Sequence, residues 1–196
     1  MSEFWNERYD TDLYIYGVEP NHFFKESILR IPAGNLLLPA EGEGRNAVFA
    51  AKAGWQVNAF DQSEIAQRKA LALAQKIGVT IDYRIAGYES VDYPQEQFDT
   101  IGLIYAHLPS PEKTDCFRKL LPFLKKGGHI LFEGFSKEHS EYQKINKSAG
   151  GPRDIDMLFS RDELSTFFEG MKMILLEQKI IMLDEGIGHK GEASVI

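Results

Sequence analysis

Two glycines and one aspartate form the pattern in this sequence that is best suited to chemistry. Gly42 and Gly44 follow the apolar run at residues 36–39 and precede a segment of helical composition. A second apolar run, residues 56–60, ends at Asp61, about 20 residues after the glycines. Glycines at a strand end let the backbone approach a ligand closely, and a carboxylate at the next strand end can accept hydrogen bonds from two ribose hydroxyls. The spacing therefore predicts a βαβ unit that binds an adenosine-containing ligand.

The glycine pattern leaves the ligand open between a nicotinamide dinucleotide and another adenosine cofactor. The spacing Gly42-x-Gly44-x-x-Ala47 satisfies the dinucleotide fingerprint, which is a weak signal by itself. A nicotinamide enzyme usually needs more length for a substrate domain or further crossovers, whereas the second half of this chain of 196 residues ends in a long strand and a hairpin. The rest of the sequence has to decide between the two ligands.

Length and composition indicate one globular domain over residues 1–196. The net charge is −7, without the clustered basic excess of a nucleic-acid surface. The single Cys116 excludes an internal disulfide framework and suits a reducing cytoplasm. No signal-peptide pattern is found, and no apolar run approaches the roughly 20 residues that span a bilayer. We expect a cytoplasmic monomer or weak homodimer that acts on a small-molecule substrate, without nucleic-acid or membrane partners.

Hydrophobic runs and punctuating residues predict the elements that position the glycines and the aspartate. The predicted strands cover residues 35–39, 56–60, 80–85, 98–104, 129–135, 171–183 and 192–196, and the predicted helices cover residues 21–29, 44–53, 63–77, 111–124 and 160–168. Ser63 and Ser160 are expected N-caps, and Gly54 and Gly78 are expected helix stops. This order predicts an α/β fold with a Rossmann-like, doubly wound and mostly parallel sheet of seven strands, ending in an antiparallel hairpin. The ligand should lie beyond the carboxyl ends of the first and fourth strands.

Two further segments are expected to cover the ligand. Residues 1–30 begin with a dense group of aromatic side chains, including Trp5, Tyr14 and Tyr16, which indicates an ordered N-terminal cap. These aromatics could close over a cofactor or substrate, or could be the packing that any cap uses. Residues 137–160 form a long polar connection without predicted structure, and such connections are more often functional than idle, so this segment is a candidate lid.

Seven short motifs resemble those of class I S-adenosylmethionine-dependent methyltransferases, in particular the small tellurite-resistance and thiopurine type. The motifs are FWNERY at residues 4–9, Y-x-YG-x-EPN at 14–21, AEGEGRNA at 40–47, AHLP at 106–109, KGG at 126–128, GGP at 150–152 and EG-x-x-H-x-G at 185–191. Each motif is moderately specific, but their order and spacing extend the resemblance over nearly the whole chain. The resemblance implies S-adenosylmethionine as cofactor and methyl transfer to a small acceptor, such as a thiol or a metalloid oxyanion.

Several positions depart from the pattern of that class. An acidic residue is usual where Leu38 stands, a glycine where Ala40 stands and an aspartate where Gly87 stands. Glu41 occupies a place that is usually small, and it could supply the carboxylate that Leu38 lacks. At Gly87 and Tyr88, adenine recognition could rest on backbone groups and stacking. These departures keep a non-catalytic S-adenosylmethionine-binding module open as an alternative, beside a nicotinamide-dependent oxidoreductase.

The resemblance also implies a set of site residues. Cofactor contacts are expected from Trp5, Tyr16, Ala40, Glu41, Gly42, Gly44, Asn46, Asp61, Gln62, Gly87, Tyr88 and Ala106. Catalytic contacts are expected from Tyr105 and His107, which follow the fourth strand, where the transferring methyl group should lie. His107 could take a proton or orient the acceptor because imidazole titrates near neutrality, or its nitrogens could simply be satisfied by neighbouring backbone.

Other polar groups carry two interpretations each. The positive end of the helix after Gly44 is expected to favour the cofactor's carboxylate. Glu41 or Glu43 could face the cofactor's ammonium or sulfonium charge, and Glu43 could instead merely favour the helix start. Asp61 could cap the following helix instead of binding ribose. Arg153 could bind an anionic acceptor or be solvated. Direct methyl transfer needs alignment and exclusion of water, and the histidines show no metal-ligand spacing, so no metal is expected.

Overall fold

The computed structural model describes residues 2–109 and 112–196 of the chain. Within these ranges the α-helices are α1 (Ser2–Tyr9), α2 (His22–Ile28), α3 (Arg45–Lys52), α4 (Glu64–Ile77), α5 (Glu112–Leu120), α6 (His139–Ile145) and α7 (Arg161–Phe167). The strands are β1 (Asn35–Pro39), β2 (Gln56–Asp61), β3 (Asp82–Ile85), β4 (Phe98–Ile104), β5 (Leu124–Glu133), β6 (Lys179–Glu185) and β7 (His189–Val195). Short 3-10 turns lie at Leu121–Phe123, Lys147–Ala149 and Ile155–Met157.

The strands form a parallel sheet that an antiparallel hairpin extends. The parallel part has the order β3-β2-β1-β4-β5, and β6 pairs with β7 in antiparallel orientation. Beyond the end of β5, Gly134 and Ile196 exchange backbone hydrogen bonds of 3.0 and 2.9 Å, and Phe135 bridges Val195 in antiparallel orientation. This arrangement confirms the predicted Rossmann-like α/β fold, with the switch in strand order between β1 and β4.

The two central strands are buried on both faces because helices cover each side of the sheet. Leu36 and Leu38 pack with apolar residues of α2, α3 and α4, whereas Leu37 packs with residues of α5 and α7. All three side chains are fully buried. Alternate side chains of a strand point to opposite faces, so a continuous apolar run at 36–38 is what a doubly covered parallel strand requires.

Helix ends follow the capping residues predicted from the sequence. Ser63 accepts a hydrogen bond from Ala66 N at 3.1 Å at the start of α4, and Gly78 ends that helix at φ +80°. Ser160 and Glu163 form a reciprocal capping box at the start of α7. These caps position α4 beside the glycine loop and α7 against the opposite face of the sheet.

The predicted long strand over residues 171–183 is wrong in its first half. β6 begins only at Lys179, which pairs with Val195 near the end of β7. Residues 171–178 have no such partner, and Ile174 is 78% exposed. Apolar composition alone does not make a strand, because a strand also needs a neighbour for its backbone hydrogen bonds.

The boundary between the fifth helix and the fifth strand also differs from the prediction. α5 ends at Leu120 and a 3-10 turn containing Pro122 follows, since proline has no backbone N–H to continue a helix. β5 then begins at Leu124, five residues before the predicted start at His129, and a register shift opposite Phe98 to Thr100 accommodates the added length. Pro111, the predicted start of the helix, lies outside the described residues.

The segment 137–160 is structured, contrary to the expectation of an irregular connection. It contains α6 and two 3-10 turns, and it joins the sheet through a parallel bridge between Ser136 and Phe159. Residues 2–30 contain α1 and α2; α1 contacts α4, and α2 contacts α3 and β5. None of the described helices has the length and apolarity needed to cross a bilayer.

Candidate functional site

A cavity of about 460 Å³ opens where β1 and β4 end, at the switch point of the sheet. The predicted site residues that line it are Trp5, Tyr16, Ala40, Glu41, Gly42, Asn46, Asp61, Gln62, Gly87, Tyr88, Tyr105 and His107. Gly44 and Ala106 do not line it. Ala106 packs into the apolar core beneath the cavity, and Gly44 begins α3.

The glycine loop is shaped by close contacts with its neighbours. Gly42 has φ +62°, and a Cβ at this position would lie 2.8 Å from the hydroxyl of Tyr9. Its carbonyl accepts a hydrogen bond of 2.6 Å from Tyr83 Oη. Gly44 has φ +86°, and its Cβ would lie 2.5 Å from that of Ala70 on α4. Gly42 therefore lets Tyr9 pack against the loop, whereas Gly44 lets α3 and the loop pack against α4.

Asp61 is held in the cavity wall by backbone donors. Its Oδ2 accepts from Gly42 N at 3.1 Å and its Oδ1 accepts from Ser63 N at 2.9 Å. Burial raises the pKa of this carboxyl, and the backbone hydrogen bonds oppose that rise. A carboxylate has about four acceptor positions, so two donors leave capacity for ligand hydroxyls. The cap of α4 is Ser63, so the helix-cap interpretation of Asp61 is wrong.

Glu41 occupies the helix end that was expected to face the cofactor's carboxylate. Its Oε1 accepts a hydrogen bond of 2.6 Å from Ala47 N in the first turn of α3. Burial raises the pKa of Glu41 to about 7, although this hydrogen bond and the charge of Arg45 act in the opposite direction. A second carboxylate at this helix end would lie beside the carboxylate of Glu41, which disfavours the cofactor's carboxylate at this place.

Glu43 has a structural partner and ties the N-terminal segment to the sheet. Its carboxylate lies 2.6 Å from Lys69 Nζ and accepts a hydrogen bond of 2.8 Å from Ile15 N. Lys69 also donates to the carbonyl of Leu13 at 2.6 Å. These bonds fix the loop after α1 against α4, so neither of the two interpretations drawn from the sequence describes the main contacts of Glu43.

The N-terminal aromatic group forms one wall of the cavity. Trp5 stacks on Tyr9 with ring centroids 5.5 Å apart, and Tyr9 contacts the ring of Tyr16 edge-on at 6.5 Å. α1 is anchored by a hydrogen bond of 2.7 Å from Ser63 Oγ to the side chain of Asn6. Trp5 and Tyr16 of the predicted cap thus line the cavity, whereas Tyr14 does not.

His107 has both ring nitrogens engaged by the backbone. Nδ1 lies 2.9 Å from the carbonyl of Met157, and Nε2 accepts from Phe135 N at 3.2 Å. Burial lowers the pKa of His107 to about 3, so the ring is neutral at neutral pH. Neither nitrogen is free to take a substrate proton in this arrangement. The geometry supports the interpretation of His107 as a positioned wall residue.

His189 is the cavity residue whose role the sequence analysis missed. Its Nδ1 lies 3.2 Å from Glu185 Oε2, and its ring packs 4.5 Å from that of Tyr16 and 4.7 Å from that of Tyr105. Burial lowers the pKa of His189. Within residues 2–109 and 112–196, no group hydrogen-bonds to its Nε2. Glu185 and His189 both belong to the motif at residues 185–191. The hairpin of β6 and β7 places them opposite each other, so their pairing is the signal in the sequence that points to this site.

The carboxylate of Glu185 is also fixed by the guanidinium of Arg45. Arg45 Nη2 lies 2.8 Å from its Oε2, and Arg45 Nη1 donates to the carbonyl of Tyr16 at 3.1 Å. Burial alone would raise the pKa of Glu185, but the hydrogen bond from His189 and the charge of Arg45 outweigh it and lower the pKa to about 2. Glu185 is therefore ionised at neutral pH and holds the imidazole of His189 in one orientation.

The candidate lid is held by hydrogen bonds to its carbonyl oxygens, which come from side chains of the same segment and from α5. Gly150 O accepts from the side chains of Gln143 at 2.6 Å and His139 at 3.2 Å. Leu158 O accepts a hydrogen bond of 2.6 Å from Lys113 Nζ on α5. Arg153 lines the cavity and uses its guanidinium on carbonyl oxygens of the same segment. This segment is a cavity wall with several anchors.

Comparisons with known proteins agree with this geometry. Residues 39–128, which include the glycine loop and Asp61, match the family model described as a methyltransferase domain. No curated protein matches the sequence. A protein from work on the conversion of a disulfide bond into a thioacetal group during echinomycin biosynthesis is 18% identical, with a TM-score of 0.78 over 100% of this chain and 89% of that chain.

Two other solved structures share the fold. TehB from Haemophilus influenzae is 13% identical with a TM-score of 0.68, over 99% of this chain and 65% of that chain. A SAM-dependent methyltransferase from Methanosarcina mazei is 17% identical with a TM-score of 0.64, over 90% and 96% of the respective chains. The chain therefore shares the Rossmann-like fold of these solved structures. Residues 39–128 are similar to a methyltransferase domain, and the cofactor that such a domain implies is S-adenosylmethionine.

Proposed function

We propose that this protein transfers the methyl group of S-adenosylmethionine to the sulfur of a small thiol. The observation that carries the proposal is a single cavity with a carboxylate at one side and an imidazole at the other. Asp61 ends β2 on one side of the switch point, and His189 begins β7 on the other side. The first side suits an adenosine cofactor, and the second side can handle the proton of an acceptor.

The residues of the first side fit the cofactor. Asp61 keeps acceptor capacity for ribose hydroxyls, and the loop at Gly87 and Tyr88 lies on the same wall, where it can pack against the adenine. Gly42 leaves the floor of the cavity free of a side chain. When bound, S-adenosylmethionine supplies a methyl group on a sulfonium, which is already an activated electrophile. The protein then has to align the acceptor with that group and keep water out.

The residues of the second side suit a thiol. His189 is neutral and can take the thiol proton on Nε2, while the ionised Glu185 stabilises the imidazolium that forms. The surrounding rings of Tyr16, Tyr105 and Phe135 give walls that favour a soft, weakly hydrated sulfur. The similarity to the protein studied for conversion of a disulfide to a thioacetal also supports sulfur as the acceptor atom.

A metalloid oxyanion is the second candidate acceptor, supported by the similarity to TehB. An oxyanion needs free cationic donors in the site. Arg45 is paired with Glu185, Arg8 donates to the hydroxyl of Tyr16 at 3.0 Å, and Arg153 is bonded to backbone carbonyls. Because these three arginines already have partners, the site favours a neutral thiol over an oxyanion as the acceptor.

The arrangement of the chain supports two further parts of the proposal. Side chains of the N-terminal cap and of the segment 137–160 line the same cavity, which supports a single domain over residues 1–196 with both segments beside the reactants. The enclosed shape favours a small-molecule acceptor over a nucleic acid or a membrane. We retain a cytoplasmic monomer or weak homodimer as part of this proposal.

The test is methyl release from S-adenosylmethionine with a panel of small thiols, tellurite, selenite and carboxylic acids. His189→Asn keeps a donor for Glu185 and removes the proton acceptor, so we expect the thiol rate at pH 7 to fall about 100-fold. The loss should shrink as the pH approaches about 8.5, where thiols ionise without help. His22→Asn, at an exposed helix start, is the matched control and should keep the parent rate.

Three outcomes would contradict the proposal. A rate loss of equal size at every pH would remove His189 as the proton acceptor. Methylation of tellurite or selenite without methylation of any thiol would favour the oxyanion. Binding of S-adenosylhomocysteine without methyl release to any acceptor would favour a cofactor-binding module, and binding of NADH in its place would favour an oxidoreductase.

A further inference from the structure

Glu41 lies in the glycine loop with its carboxylate at the cavity. The two flanking residues, Ala40 and Gly42, have φ values of +51° and +62°. Glu41 N donates to Phe60 O at 3.2 Å, which ties the loop to the end of β2. Oε1 of Glu41 accepts a hydrogen bond from Ala47 N, and the side chain of Glu41 lines the cavity. The loop conformation thus directs a carboxylate to the place where a small residue would leave space.

The other carboxylates around this part of the cavity already have strong partners. Glu43 pairs with Lys69, and Asp61 accepts from two backbone N–H groups. Among the described residues, Glu41 forms no ion pair, and the groups that hydrogen-bond to its carboxylate, Ala47 N at 2.6 Å and the neutral groups of Asn46, carry no charge. A buried carboxylate without a cation is destabilised, and the raised pKa of Glu41 has this cause.

The remaining groups that face Glu41 do not form an ion pair with it. The charge of Arg45 on α3 lowers the pKa of Glu41, but its guanidinium is paired with Glu185. Asn46 is neutral, and Tyr83 on β3 donates to the carbonyl of Gly42. At the end of β1, Leu38 is fully buried and carries no charge. A cation brought by the ligand is therefore the group that the carboxylate of Glu41 can accept most favourably.

We propose that Glu41 binds the ammonium group of the cofactor's methionine part, with one oxygen on Ala47 N and the other on the ligand. This inference rests on the proposed function and assigns the ammonium of the cofactor to Glu41 in the glycine loop. Because the loop carboxylate already occupies the start of α3, the ligand's ammonium fits there better than its carboxylate.

Calorimetric titration of two ligands tests this assignment. S-adenosylhomocysteine contains the ammonium, and 5′-methylthioadenosine lacks the whole amino-acid part. Glu41→Gln preserves the shape and the acceptor for Ala47 N but removes the charge. We expect it to weaken S-adenosylhomocysteine binding about 10- to 100-fold. The affinity for methylthioadenosine should stay within about twofold, since that ligand has no group for Glu41.

Glu43→Gln is the matched control, because it removes a nearby buried carboxylate that pairs within the protein. It should leave the ratio of the two affinities at the parent value. An unchanged S-adenosylhomocysteine affinity in Glu41→Gln would overturn the assignment, and so would an equal loss for both ligands, which would indicate a distorted loop. If the parent chain bound neither ligand, the proposed function itself would fail, and the assignment with it.

Discussion

Replacement of Gly44 by alanine should destabilise the fold through a contact that lies outside the cavity. The residue has φ +86°, where an L side chain costs about 1 to 2 kcal/mol. The new Cβ would lie 2.5 Å from Cβ and 2.8 Å from Cα of Ala70. Because a helix backbone cannot yield as a flexible side chain does, overpacking should add about 1 to 3 kcal/mol. The expected loss in the free energy of unfolding is about 2 to 5 kcal/mol.

Gly54→Ala provides a matched control for the conformational part of that loss. Gly54 ends α3 at φ +93°, and no atom lies within 4 Å of the position of its Cβ. This variant should lose only the conformational term of about 1 to 2 kcal/mol. Urea denaturation at constant pH gives both free energies, and the difference between the variants measures the contact with Ala70.

A double variant makes the test sharper. Ala70→Gly opens space opposite Gly44, at the usual cost of a glycine within a helix. If the clash is the cause, Gly44→Ala and Ala70→Gly should show a favourable coupling of about 1 kcal/mol or more in a double-mutant cycle. Equal stabilities of Gly44→Ala and Gly54→Ala, together with zero coupling, would refute the reasoning.

Three other changes have defined outcomes. Asp61→Asn should weaken S-adenosylhomocysteine binding about 10-fold or more in calorimetry, because a neutral amide accepts ribose hydroxyls less strongly; unchanged binding would remove Asp61 from the site. The pKa of Glu185 in the folded protein, about 2, lies below its ordinary value of 4.5. Ionised Glu185 therefore stabilises the folded state by about 3 kcal/mol above pH 4.5, and this contribution is lost as the pH falls toward 2. Urea titrations at several pH values should show that Glu185→Gln lacks this loss. The folded pKa of His107, about 3, lies below 6.5, so the parent should lose stability as the pH falls from 6.5 to 3, and His107→Phe should lose less over that interval.

The parts of the fold that were predictable from the sequence are those whose signal is local. The bounds of β1 and β4 were predicted as observed, because strands buried on both faces appear as continuous apolar runs. The stop at Gly78 and the cap at Ser63 depend on one residue each. In contrast, residues 171–178 have strand-like composition but lack a pairing partner, and α6 is stabilised by contacts such as that of His139 with Gly150.

The same distinction applies to the candidate site. Gly42 and Asp61 could be predicted because their spacing along one βαβ unit determines where they meet. His189 acquires its place from Glu185 across a hairpin and from the rings of Tyr16 and Tyr105, which come from distant segments. For His107 the residue type suggested proton transfer, but its backbone partners became visible only when β5 and the segment before α7 were placed around it.

Buried carboxylates differ around the cavity because their partners differ. Glu185 has Arg45 and His189 beside it and a pKa of about 2, whereas Glu41 has neutral hydrogen-bond donors and a pKa of about 7. Glu185 is therefore ionised throughout the neutral range and can stabilise a proton on His189 whether or not a ligand is present. Glu41 gains most from a cation that arrives with the ligand. This division directs the positive charge of a cofactor to the glycine loop and the proton of an acceptor to the hairpin, so the two charges need not compete for one acid.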